Sequence, residues 1–233
     1  MFVRSAAVIV GVVAAVILAA PSAQAAQGYR AHWTLDEIGS GTAFDSSGNH
    51  NDGANLNVAG DGDGYTFNGE SSRVIVPNSP TLNSGTGDFS WGVTLSMTEP
   101  PMPVGETYDI LRKGLAGSKG GDYKLEIMNS GGRAKARCVF NSVLPSGVRA
   151  NLAQLDANSL ADGRLHTITC TKTANAITVQ VDSNTPKTKT ISGGLGTVSN
   201  TFDLALGAKA EQTAKSGFDW FEGELTDAWV AGA

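Results

Sequence analysis

Chemistry needs side chains that donate, accept or coordinate, held at a workable spacing. The densest such set in this 233-residue chain is Asp45-Ser46-Ser47-Gly48-Asn49-His50-Asn51-Asp52. Asp45, Asn49, Asn51 and Asp52 place four hard-oxygen side chains in one short loop, the donor type that calcium takes. The same residues also suit turns in which Asp45 and Asn49 accept from or donate to nearby backbone, with no ion needed. Both readings stand on the residues alone.

A second set is Asp219-Trp220-Phe221-Glu222-Gly223-Glu224. Glu222 and Glu224 alternate along one strand face, about 6.6 Å apart along the chain. Retaining glycoside hydrolysis asks for two carboxyls about 5–5.5 Å apart. A solvated face opposite Phe221 and Leu225 explains the pair without catalysis. Asp227 follows, and unbroken alternation puts it inward with Phe221, Leu225 and Trp229. An inward carboxylate needs a partner, a metal, or a bulge that turns it out. Trp220 breaks the inward set and is the one candidate platform for a sugar ring; Trp33 and Trp91 fall at core positions.

Other signals fail on spacing. Asp61-Gly62-Asp63-Gly64 opens like an EF-hand, but Thr66 and Ser72 stand where glycine and the closing glutamate belong. A hairpin turn accounts for it. His32, His50 and His166 are too scattered for a zinc site and have no nucleophile signature beside them.

The elements that must position these residues are strands. Phe89, Trp91, Val93, Leu95 and Met97 alternate with polar or small residues over ten positions. Tyr123-Ile127, His166-Cys170, Ile177-Val181 and Phe202-Leu206 repeat the period of two. Asp45-Asn49, Gly60-Gly64, Asn68-Gly69, Asn129-Gly132 and Gly193-Gly194 supply turns between them. Only Asn151 to Leu160 has room for a short helix. Many strands, regular turns and no composition break predict one all-β domain over 26–233, a two-sheet antiparallel jelly-roll sandwich.

Residues 1–25 read as a secretory signal peptide: Arg4, an apolar run from Ala6 to Ala20, then Ala23-Gln24-Ala25 as the cleavage site. Export makes the two cysteines a pair, since an even count in an oxidising compartment favours a Cys138–Cys170 disulfide. Neither strand context offers the basic partner that a reactive thiol needs. The chain carries 17 basic and 22 acidic residues, for a net charge of −5, which disfavours nucleic acid and anionic membranes as partners. No later stretch is apolar for long enough to span a bilayer.

At this point the words match as well as the pattern. His32-Trp33-Thr34-Leu35-Asp36-Glu37, the Asp45–Gly53 loop, Asp109-Ile110-Leu111-Arg112-Lys113-Gly114, Leu160-Ala161-Asp162-Gly163-Arg164-Leu165-His166 and Phe221-Glu222-Gly223-Glu224-Leu225-Thr226-Asp227 follow in order. Together they resemble laminin-G-like, concanavalin-A-like jelly-roll domains, over about residues 29 to 230, and the cysteine placement resembles secreted single-domain actinobacterial members. Leu165 and Thr226 depart from the family's Trp and Asp, and the second departure weakens a metal role at that end of the sheet. The resemblance implies a structural calcium at the loop of Asp45 and Asn49 and a carbohydrate- or matrix-binding module; Asp227, inward by alternation, is a further candidate ligand from its own strand pattern. The carboxylate array of the superfamily's glycanases is not found, so the chain is expected to bind rather than catalyse. A structural or protein-interaction domain of the cell surface is the alternative, and a glycan hydrolase a third reading.

Overall fold

The computed structural model describes residues 28–144, 149–150, 153–155, 159–211 and 219–232; the leader and its cleavage site lie outside them. Strands dominate because Val, Ile, Thr and aromatic residues alternate with small and polar ones on pleated backbone. They are β1 (Tyr29–Trp33), β2 (Thr42–Ala43), β3 (Gly53–Leu56), β4 (Ala59–Gly60), β5 (Tyr65–Asn68), β6 (Arg73–Val76) and β7 (Phe89–Ser96). Then come β8 (Thr107–Lys113), β9 (Asp122–Asn129), β10 (Ala134–Val143), β11 (Arg149–Ala150), β12 (Ala153–Leu155) and β13 (His166–Lys172). The last are β14 (Ala176–Val181), β15 (Lys187–Thr190), β16 (Leu204–Leu206) and β17 (Glu222–Gly232).

They form two antiparallel sheets. The first runs β15-β14-β13-β7-β17-β5-β4, and β1 also pairs with β17. The second runs β11-β10-β9-β8-β16-β6-β3-β2, with β12 beside β10. β17 is long enough to hold two neighbours on one edge, β5 along Glu222–Leu225 and β1 along Ala228–Ala231. This is the expected jelly-roll sandwich. The segment from 151 to 160 is not a helix where described: Ala153–Leu155 pairs with Arg137–Val139, so sheet pairing overrides local propensity.

The core lies between the sheets. Phe89 and Trp91 of the first sheet meet Tyr123 and Phe140 of the second, with ring centroids 5.0 to 6.0 Å apart. Trp33 is also fully buried, its indole N–H donating to the Asn51 carbonyl at 2.8 Å. Cys138 and Cys170 are bonded as expected, and their strands belong to opposite sheets. The disulfide therefore ties the two layers together through the core. Two buried lysines close the layers: Lys172 donates to the Thr86 and Gly87 carbonyls, and Lys113 to the Phe202 carbonyl and Asn78. Burial pushes the Lys113 pKa down to about 8, with Asp203 opposing it.

The outer face of the second sheet is charged and nearly dry. Asp109 is fully buried, pairs with Arg112 at 2.7 Å and Lys124 at 3.2 Å, and Glu126 pairs with Lys124 and with Arg137. Burial pushes the Asp109 carboxyl up, but the Lys124 and Arg112 charges outweigh it and hold the pKa below the usual range. Charges this well paired are a structural network, since each covers the desolvation of the next.

Candidate functional site

The residues singled out in the loop and in β17 converge on one side chain, His32. β1 carries Ala31 and Trp33 inward, so His32 between them faces out, opposite Trp229 on β17. Its Nε2 meets Asp227 Oδ1 at 2.8 Å. Its Nδ1 lies 3.1 Å from the Ser46 hydroxyl, which also donates to the His32 carbonyl. The Tyr29 ring stacks on the imidazole, centroids 4.4 Å apart and planes 17° from parallel, with Tyr29 itself 46% exposed. The hydrogen bond to Asp227 raises the His32 pKa, burial opposes it, and the charges of Asp227 and Asp45 add to the rise.

Asp227 reaches this partner through a bulge. The β17–β7 register steps from Leu225↔Leu95 to Asp227↔Thr94, so Thr226 is the unpaired extra residue. Unbroken alternation predicted Asp227 inward; the bulge corrects this and puts it on the outer face beside Thr94. Trp229 follows on the same outer face. Its indole lies over Gly92, where an added Cβ would come within 2.2 Å of Trp229 Cζ2. Glu222 and Glu224 do share the outer face of β17, and Glu224 accepts from the Ser96 hydroxyl at 3.3 Å.

The Asp45 carboxylate is the organiser of its loop. Oδ1 accepts from the backbone N–H groups of His32 and Ser47, and Oδ2 accepts from the Ser47 hydroxyl and the Asn51 N–H, all at 2.9 Å. Burial pushes this carboxyl up, but the N–H and O–H donors prevail and hold its pKa below the usual value. Asn49 donates to the Tyr29 and Arg30 carbonyls, Asn51 to the Arg30 carbonyl, and Asp52 accepts from the Asp45 N–H. The turn chemistry expected of these residues is thus present. Each oxygen of the Asp45 carboxylate takes two of these donors, and those bonds account for its place in the loop. Asp52 and Asp227 are each engaged through Oδ1 alone in the bonds described. Among the described residues, no three His, Cys, Asp or Glu side chains gather as a metal site.

Trp220 is not an exposed platform. It is 4% exposed, and the Arg73 guanidinium lies over its ring at 5.4 Å. The reason is the backbone on either side of it: Asp219 O accepts from Asp109 N and Phe221 N donates to Gly207 O, which ties the segment to β8 and the turn after β16 before β17 begins. The sequence pointed to Asp227 and the Asp45 loop but missed His32 and Tyr29. An outward histidine between two core positions of β1 was the available signal.

No family model matches the chain, and no curated protein matches it. Solved structures do match, at identities that speak for fold alone. The chain is similar to domain 4 of an extracellular GH43 arabinanase from Geobacillus stearothermophilus, in complex with arabinotriose (TM-score 0.58, 13% identity, 89% of this chain and 93% of that one). It is similar to the binding domain of botulinum neurotoxin DC, in complex with rat synaptotagmin II (0.59, 11%, 88% and 48%). It is also similar to domains LG4-5 of the mouse laminin alpha1 chain (0.53, 12%, 72% and 42%). The chain spans less than half the length of the laminin and neurotoxin structures. These likenesses agree with the laminin-G-like architecture.

Proposed function

We propose that the chain is an extracellular binding module that recognises a glycan at the edge formed by β1 and β17, and that it does not turn its ligand over. The observation that carries the reading is the Tyr29–His32–Asp227 assembly. A half-exposed phenol ring lies flat on an imidazole that Asp227 and Ser46 hold on both nitrogens. Sugars are met by this combination of an aromatic face for C–H groups and fixed polar atoms for hydroxyls. The inter-sheet disulfide supports an oxidising, extracellular setting.

Calcium enters as a variable of the test and not as a part of the site. The purified chain is applied to a glycan and polysaccharide array with calcium and with chelator, beside Tyr29→Ala. Binding that Tyr29→Ala loses supports the proposal; hits needing calcium would add an ion at Asp227 or Asp52. Absence of binding from a folded sample rejects it. Hydrolysis of any bound glycan, abolished by Glu222→Gln with Glu224→Gln, would turn the reading to a hydrolase.

A second reading has its own observation. Ile38, Phe44 and Leu56 are 78%, 56% and 41% exposed in and around the β2–β3 edge of the second sheet. Exposed apolar side chains at a sheet edge suit a protein partner at the cell surface.

A further inference from the structure

A groove lined by the 119–121 turn, the end of β10 and residues 195 to 202 is used by nothing above. Two depressions of about 590 and 260 Å³ share Val143 as a common wall. Val143 is 40% exposed at the end of β10, an apolar side chain standing between two hollows. Phe202 and Lys119 line the larger hollow with Ser199 and Thr201, and Leu195 and Thr86 line the smaller.

The walls are fixed before any ligand arrives. Residues 196 to 200 are stitched to three other segments: Gly196 N donates to Ser142 Oγ, Val198 N to Ser84 Oγ, and Ser199 N to the Gly120 carbonyl. The Asn200 side chain donates to the Gly121 carbonyl at 2.9 Å. Gly120 has φ +91°, and a Cβ there would come within 2.0 Å of the Ser199 carbonyl. Only glycine lets the 119–121 turn lie flush on that segment, and the contact sets exposed Lys119 at the mouth of the groove. A groove that needs no rearrangement loses little entropy on binding.

We infer that this groove is a second saccharide site, selective for a sugar unit that carries an anionic group. Val143 and Phe202 offer apolar surface to the ring's C–H groups. Ser199 and Thr201 offer hydroxyls to its own. Lys119 meets the carboxylate or sulfate. Lys119 is the cation among the side chains that line the groove, and it supplies the preference for an anionic unit. Its ligand chemistry differs from that of the β1–β17 edge, and its success or failure is separate from that proposal.

The test titrates the purified chain with three probes: a sulfated heparin tetrasaccharide, a tetragalacturonate, and neutral cellotetraose. Saturable binding of one or both anionic probes is expected with the Tyr29 edge disabled by Tyr29→Ala, where cellotetraose shows none, the pair telling sulfate from carboxylate. Lys119→Gln weakens that binding roughly fivefold, the upper range of a surface ion pair. Val143→Asp, at an exposed position where folding is retained and checked by melting, weakens it further. Tyr29→Ala leaves it unchanged. Equal binding of the neutral probe that persists in Tyr29→Ala, no binding of either anionic probe, or wild-type affinity in both groove variants overturns the inference.

Discussion

His32 and Asp227 lie 195 residues apart in sequence, yet imidazole and carboxylate meet at 2.8 Å across the β1–β17 pair. That hydrogen bond is the largest cause of the raised His32 pKa. Asp227→Asn is therefore expected to return the His32 titration toward its ordinary value near 6.5. The ring proton shifts of His32, followed by NMR against pH, report it. An unshifted titration midpoint in the variant would show that Asp227 does not control the ring.

His166 should make the same protein's stability pH-dependent. It sits between Asp182 at Nδ1, 2.8 Å, and Asp162 at Nε2, 3.0 Å. Burial lowers its pKa, but the hydrogen bonds and charges of the two aspartates leave it raised. A histidine raised in the folded state stabilises below its unfolded pKa, and the contribution disappears as pH climbs through the folded value. Both His32 and His166 shift in this direction, so Tm is expected to fall as pH rises from 6 through the neutral range. His166→Gln should flatten part of that slope in thermal melts; an unchanged slope refutes the assignment.

Cys138 and Cys170 are separated by 32 residues, and both sulfurs lie in the core. Closing such a loop restrains the unfolded chain by about 3.5–4 kcal/mol in the entropy model. Cys138→Ala with Cys170→Ala should cost about that much in urea unfolding, measured against the oxidised parent. A loss below 1 kcal/mol, on the order of an ordinary core trim, would mean the sheets hold together without the bond.

Gly92 is where the outer face of β7 makes room for Trp229. An added Cβ would meet Trp229 Cζ2 at 2.2 Å and the Ile168 carbonyl at 2.5 Å. Gly92→Ala is expected to destabilise by about 1–3 kcal/mol, the cost of overpacking. Tryptophan fluorescence should shift as the indole is displaced. A Tm equal to wild type would show that the indole moves aside freely.

Asp45→Ala removes the acceptor for three N–H groups and one hydroxyl, so the loop should lose about 1–3 kcal/mol. Because the Asp45 pKa is lowered, its contribution stands above the ordinary carboxylate value and is lost as pH falls through the folded one. Melts with calcium and with chelator complete the experiment. A calcium-dependent rise in Tm that Asp45→Ala abolishes would relocate the ion to this loop.

Local pattern carried the sheets. β7, β9, β13 and β14 repeat every two residues, and the structure buries the alternate set that the sequence indicates, Trp91 of β7 among it; on β9 it buries Glu126 of the opposite set as well. The His32 site was not legible in the same way. Its members come from the first strand, a loop and the last strand, and no local period announces that β1 will lie beside β17. One inserted residue, Thr226, then reversed the facing predicted for Asp227. Trp220 failed for a similar reason, since the Arg73 side chain that covers it comes from 147 residues upstream, on the second sheet. Period reads the facing of residues within a strand; bulges and distant partners decide the exceptions.

The pairing of β1 with β17 has a further consequence for how the fold can be joined to other chains. Tyr29 stands opposite Ala231, so both ends of the described fold leave from the same edge of the first sheet. A unit whose entry and exit are neighbours can be spliced into a surface loop of a host protein without stretching it, and Tyr29 and Ala231 can be joined by a short linker with new ends opened in a turn. Such a splice would carry the His32 edge beside the joint, so a host placed there would screen the Tyr29 ring and the Asp227 carboxylate.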